Sequence, residues 1–163
     1  MIKESFDQIV RALQDAVART YGDRLVTLAI FGSVASQSMR PDSDVDVFIC
    51  ATDLPWGRTA RVREFEDVER PLEPLLAELK TREIYPCLSP VIKTPEEAGL
   101  GSVLFIDMTD TVMIFFDRGD FFRNLLNALK DRMTQLGSRK IQLGNAWYWD
   151  LMPGYKPGME VIL

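Results

Sequence analysis

The chain has no histidine anywhere in its 163 residues. That absence removes imidazole general bases, Ser-His-Asp triads and histidine-ligated metal sites from its chemistry. Any metal it holds must sit among oxygen ligands. Cysteine is almost absent as well. Cys50 and Cys87 lie far apart in apolar runs, where they read as small buried core residues suited to a reducing compartment. Basic residues are in the minority, 19 against 24 acids, for a formal net charge of -5. This is not the positive footprint of a general DNA or RNA binder. No stretch approaches the ~20 apolar residues of a membrane span, and the opening MIKESFDQIVRALQDAV carries no signal-peptide run. The expectation is a soluble, cytoplasmic protein with no membrane association. At 47% hydrophobic residues it has enough apolar material for one compact core.

Periodicity supplies the outline. Phe6, Ile9, Val10, Leu13, Ala16 and Val17 recur at helical spacing and predict a helix over residues 3–20. Leu25 to Phe31 reads as a buried strand, Gly32-Ser33 as a turn, and Val34 to Ser38 as a helical turn stopped by Pro41. Asp44 to Cys50 follows as a second strand in a hairpin-like pair with the first. Pro55-Trp56-Gly57 marks a loop before a charged helical stretch, Arg58 to Lys80, which Pro71 and Pro74 should kink. A third strand is expected from Glu83 to Ile92, at an edge or interrupted because of Pro86 and Pro90. Thr94-Pro95-Glu96-Glu97 has the form of a helix start. Val112 to Phe116 reads as a strand, and Phe121, Phe122, Leu125, Leu126, Leu129 and Met133 trace a last long helix up to Gly137.

The fold class this predicts is α+β (mixed α/β), a small mixed β-sheet backed by helices. Its core would be Leu28, Ile30, Val45, Val47, Ile49, Ile114 and Phe116. Residues 1–138 form the domain, and residues 139–163, rich in aromatics, Gly and Pro, form an extended arm packed on it.

One stretch does not behave like ordinary sheet. FGSVASQSMRPDSDVDVF follows an apolar strand with Gly32-Ser33, then opens the next strand through Asp44 and Asp46. Strand alternation puts Asp44, Asp46 and Phe48 on one face and Val45, Val47 and Ile49 on the other. Two like charges side by side cost energy unless a cation relieves them, and Mg²⁺ typically takes one or two carboxylates together with substrate phosphates. Gly32 lets the backbone come close to a bulky ligand, and Ser33 offers a hydroxyl and an N–H at the start of a helical turn. The combination describes a nucleoside triphosphate site.

These residues resemble the signature of the DNA polymerase beta-type nucleotidyltransferase superfamily, in particular its minimal (MNT-type) stand-alone members, which carry Gly-Ser followed by S-D-x-D-[LV] in the next strand. The resemblance implies the nucleotidyltransferase fold. It also implies that Gly32 and Ser33 contact the triphosphate and that Asp44 and Asp46 hold Mg²⁺ (or Mn²⁺) as metal ligands and catalytic residues. The implied reaction is attack by an acceptor hydroxyl on the α-phosphate, with ATP as the donor of AMP. Two metals about 3.5 to 4 Å apart can stabilise the attacking and leaving oxygens. MNT-type members often pair with HEPN-type toxin proteins, which makes a partner toxin an implied acceptor; a homo-oligomer stays open.

The chain also departs from the pattern. Family members that work this way place a third carboxylate on a later strand, but EIYPCLSPVIK aligns Ser89 there; Glu83, Asp107 and Asp110 are the other candidates. After Gly-Ser, where many members have Gly or Arg, stands Gln37, with Arg40 nearby as a substitute phosphate contact. Arg139-Lys140 with Trp147, Tyr148 and Trp149 combines charge with stacking surface, suited either to gripping a nucleobase or single-stranded RNA or to packing on the domain or a partner subunit. A catalytically degenerate antitoxin or protein-binding module is therefore the alternative to an enzyme. An aminoglycoside-type transferase is a third reading.

Overall fold

The computed structural model describes residues 1–144 and 146–163. Helix α1 (Ile2–Tyr21) forms where the spacing predicts it, with Phe6, Ile9, Val10, Leu13, Ala16 and Val17 all buried along one side. Strand β1 (Leu25–Phe31), the single turn of helix α2 (Gly32–Ala35) and strand β2 (Val45–Ala51) follow. β1 and β2 pair antiparallel, which sets Phe31 opposite Asp46. The charged stretch divides at its prolines into α3 (Arg58–Glu69) and α4 (Glu73–Lys80), separated by a 3-10 turn over Arg70–Leu72.

Strand β3 (Leu88–Lys93) lies at the sheet edge, parallel to β2, with Ser89 opposite Asp46. It begins five residues later than the sequence suggested. Glu83 takes a left-handed backbone (φ +61°), which no regular strand accommodates, and Pro86 follows. Cys87, expected in the core, is exposed just ahead of β3. Its backbone is what the fold uses, its carbonyl accepting from Val45 N at 2.8 Å. Thr94 caps α5 (Pro95–Gly99) in a complete capping box with Glu97.

Helix α6 (Val103–Met108), started by the Ser102 side chain, was not anticipated from the sequence. Its run is too short to show a helical period. Strand β4 (Met113–Asp117) pairs antiparallel with β1, and α7 (Phe121–Gln135) is the long final helix. Asp117 joins them: its carboxylate accepts from Thr27 Oγ1 (2.8 Å) and from the N–H groups of Phe122 and Arg123 (both 2.9 Å). In the segment expected as extended arm, β5 (Arg139–Leu143) and β6 (Ala146–Asp150) instead pair antiparallel as a hairpin.

The main sheet has the order β3-β2-β1-β4 and is mixed, the small sheet backed by helices that was expected. Alternation sends Val45, Val47 and Ile49 into a buried cluster with α1, α3 and α4, and sends Phe48 and Cys50 into a second cluster with α6 and α7. The second is knitted by Phe48, Phe105 and Phe122. Phe48 stacks on Phe122 at 4.4 Å between ring centres, and Phe105 meets both edge-on at 5.3 and 5.2 Å. Such pairs add about 0.5–1.5 kcal/mol each beyond the area they bury. They fix α6 against the sheet face that also carries Asp46. Leu28, Ile30, Val45, Val47 and Ile49 are core, as expected, but Phe116 is 41% exposed. A register shift in the β1–β4 pairing, between Leu28 and Ala29, turns Phe115 toward the α1 side instead.

Candidate active site

The site forms where β1 ends and β2 begins. Gly32 has φ +68°, a conformation that glycine adopts without steric cost. A Cβ built there would lie 2.2 Å from Asp46 Oδ2 and 3.1 Å from its Cγ. Any side chain at position 32 would push the Asp46 carboxylate aside, and with glycine there the carboxylate rests directly against bare backbone. Beside it, Ser36 Oγ bonds back to the carbonyls of Gly32 (3.1 Å) and Ser33 (3.2 Å) and lies 2.8 Å from Ser38 Oγ. The short α2 turn thus gathers three hydroxyls at one end of the sheet.

Asp46 is half-buried, and its carboxyl is pushed above the usual carboxylate range. Burial is the main cause, and the nearby Asp44 charge adds to it, while the Ser89 hydroxyl facing Asp46 works the other way. Asp44, one residue ahead of β2, is exposed. Ser89 stands next to Asp46 in the parallel register, where an acid was sought. Among the described residues, no three carboxylates, cysteines or histidines gather as a metal-holding group.

A cleft of about 380 Å³ opens over this point, and its walls include Gly32, Ser33 and Asp46. Ser36, Ser38, Asp107, Thr111, Lys140 and Trp147 also line it. Asp107 is therefore drawn to the site by α6, although Trp149 Nε1 donates to its Oδ1 at 2.8 Å. Asp110 lies beyond, paired with Lys140 at 2.9 Å. Glu83 and Arg40 are not brought in; Arg40 sits on an exposed turn, 3.7 Å from Asp42. Sequence reading missed Ser36, Ser38 and Thr111, whose types are too common to signal anything without the path of the chain. A larger cavity of about 630 Å³ lies along the outer edge of β3, among Trp56, Arg58, Arg61 and Lys93. Its Arg61 is already engaged by both oxygens of Glu97, at 2.6 and 2.9 Å, and none of the Gly-Ser or Asp-x-Asp residues reaches it.

A bare glycine turn touching a carboxylate, with serine hydroxyls alongside and a second acid two residues away, can receive phosphates and a divalent cation. Asp46 fits Mg²⁺, which needs only one or two acids when phosphates and water complete its shell, while Asp44 is exposed and is not among the residues that line the cleft.

The chain belongs to the nucleotidyltransferase domain family, whose match spans residues 10–100 and contains the whole Gly-Ser to β3 segment. It is a transferase of that class, and the expected membership of the nucleotidyltransferase superfamily is borne out. Among relatives, it is 26% identical over 132 residues to "Putative protein adenylyltransferase MJ1305" of Methanocaldococcus jannaschii, covering 80% of this chain and 84% of that protein. Its fold is similar to that of spectinomycin adenyltransferase AAD(9) from Enterococcus faecialis, solved with ATP and spectinomycin. The TM-score is 0.52 at 12% identity, over 80% of this chain and 66% of that one. A toxin-antitoxin structure with AMP-PNP matches at TM-score 0.46 and 13% identity, over 84% of this chain and 94% of that one. Among the described residues no helix is long and apolar enough to cross a membrane.

Proposed function

We propose that this protein moves AMP from ATP to an acceptor hydroxyl in a Mg²⁺-dependent reaction. Gly32 and Ser33 contact the triphosphate, and Asp44 and Asp46 hold the metal. The observation that carries this reading is the 2.2 Å approach of Asp46 Oδ2 to the missing Cβ of Gly32, at the wall of a cleft lined by serine hydroxyls. A side chain there would separate the phosphate-binding backbone from the carboxylate.

In the reaction a bond forms between the acceptor oxygen and the α-phosphorus, the bond to the β-phosphate oxygen breaks, and pyrophosphate leaves while the acceptor hydroxyl gives up its proton. Bound Mg²⁺ would supply charge stabilisation at the phosphates. The chain's own contribution is positioning: Gly32 admits the phosphates to the backbone, the hydroxyls of Ser33, Ser36 and Ser38 surround them, and β2 holds Asp46 rigidly against them. Ser89 is no base at neutral pH. The acceptor's proton must therefore go to water or to a carboxylate outside the β2–β3 pair.

A protein acceptor is favoured, supported by the name of the Methanocaldococcus jannaschii relative, a protein adenylyltransferase, and by the resemblance to MNT-type proteins, which points to a HEPN-type toxin. Ser89 at the position of the third acid favours a second reading, a degenerate antitoxin module that binds its partner without transfer. Calorimetric titration with the four ribonucleoside triphosphates, with and without Mg²⁺, decides between them. The enzyme reading expects Mg²⁺-dependent ATP binding that is lost in Asp46→Asn. Binding that survives both Asp44→Asn and Asp46→Asn, or no binding of any triphosphate, would overturn it.

A further inference from the structure

The cleft has a charge problem. Its walls contribute Asp46 and Asp107, both acids, yet it is read as a site for a triphosphate. Among the described residues that line it, Lys140 is the only base. That lysine comes from the β5–β6 hairpin, outside residues 10–100 where the family match lies. The matched segment brings Gly32, Ser33, Ser36, Ser38 and Asp46 to the cleft, whereas Asp107 and Lys140 come from beyond it.

The hairpin is built to present it. Lys140 pairs with Trp149 across the two strands, and Gln142 with Trp147. One face of the ribbon therefore carries Lys140, Trp147 and Trp149 together. Trp149 anchors that face to α6 through its indole N–H to Asp107. Lys140 Nζ lies 4.1 Å from the centre of the Trp147 ring and 5.9 Å from that of Trp149. Its remaining partner is Asp110, whose side chain is 52% exposed. An ion pair so open to water is worth little, so exchanging Asp110 for a phosphate costs little. Trp147 lines the cleft but stays 44% exposed. Nearly half of its surface is thus left free at the cleft wall, and an aromatic ring there is the kind of surface on which a base stacks.

We propose that the hairpin completes the nucleotide site, with Lys140 meeting the triphosphate and Trp147 forming the platform for the base. This rests on the cleft's being the nucleotide site described above. It assigns two specificity-determining residues to a segment outside residues 10–100, where the family match lies.

The test separates phosphate from base. Calorimetry compares Mg²⁺-ATP with Mg²⁺-tripolyphosphate, which has the phosphates and no base, on wild type, Lys140→Met, Lys140→Arg, Trp147→Ala and Trp147→Phe. Lys140→Met should weaken both ligands by roughly tenfold or more, and Lys140→Arg should restore most of the affinity. Trp147→Ala should weaken ATP roughly tenfold and leave tripolyphosphate unchanged, while Trp147→Phe retains ATP. Thermal melting of each variant reports on folding. If the alanine variant melts early, Trp147→Leu, which keeps apolar bulk without an aromatic face, reads the same contrast. Wild-type binding that requires Asp46 but is untouched in Lys140→Met and Trp147→Ala overturns the hairpin's role and leaves the nucleotide site standing. Absence of binding to either ligand in wild type overturns both.

Discussion

Asp46 Oδ2 occupies the space that a Cβ on residue 32 would need, at 2.2 Å. Gly32 and Asp46 are thus a single structural unit, although 13 residues intervene and they sit on different elements. The antiparallel register that sets Phe31 opposite Asp46 brings them together. A half-buried carboxylate thus lies directly against glycine backbone at the wall of the cleft, where a ligand can meet both at once.

Gly32→Ala should therefore remove nucleotide binding without removing the fold. The new methyl displaces the Asp46 side chain, and φ +68° is strained for alanine, at a cost of about 1–2 kcal/mol. For a chain this size that is a fall in melting temperature of roughly 2–8 °C. Calorimetry with Mg²⁺-ATP and a thermal melt check both halves. An alanine variant that binds as wild type does would show that the close approach has no role.

Asp46→Asn should bind no Mg²⁺-ATP and yet, in chelator at neutral pH, melt at or above the wild-type temperature. The native carboxylate is held there against burial and the Asp44 charge; an amide carries no charge to desolvate. Added Mg²⁺ should raise the wild-type melting temperature and leave that of the variant unchanged. A variant clearly less stable than wild type in chelator would contradict this.

Acid should weaken the link between α3 and α5. Hydrogen bonding from Arg61 is the main reason that the Glu97 carboxyl is held down to about 2. Because the folded value lies below the unfolded one, near 4.3, the stabilisation is complete above that pH and is lost as pH falls toward 2. Glu97→Gln should lower stability at pH 7, and the gap from wild type should shrink across that window. Urea denaturation at pH 7, 4 and 2.5 measures it; a gap constant with pH would rule the ion pair out as the cause.

Asp117→Ala should cost about 1–3 kcal/mol, because it leaves the Thr27 hydroxyl and two α7 N–H groups without their acceptor. Thr27 is fully buried, so water cannot replace the lost partner. Asp117→Asn keeps an acceptor oxygen and should recover part of the loss. The midpoint of urea unfolding reports both, and an alanine variant as stable as wild type would show that the cap is idle.

Much of this protein was determined within short windows of sequence. The apolar period of α1, the prolines that divide α3 from α4 and the Thr94 capping box act through neighbours a few residues away, so the local chain states them in full. The Gly-Ser and Asp-x-Asp pairs were legible for the same reason, each being one end of a strand with a fixed side-chain alternation. What lay between distant segments was decided only by tertiary structure. Ser89 meets Asp46 through parallel pairing, which no local pattern encodes, and the unstranded Glu83 follows from a left-handed turn. Asp107 reaches the cleft on α6, a helix too short to announce itself, because three phenylalanines from separate elements pack it there. Lys140 and Trp147 arrive last, from a hairpin whose residues read as an arm until cross-strand pairing put the lysine and the tryptophans on one face. Local preference acts between neighbours along the chain, whereas a site is a meeting of residues far apart in it, and only the packing of the whole domain brings them into contact.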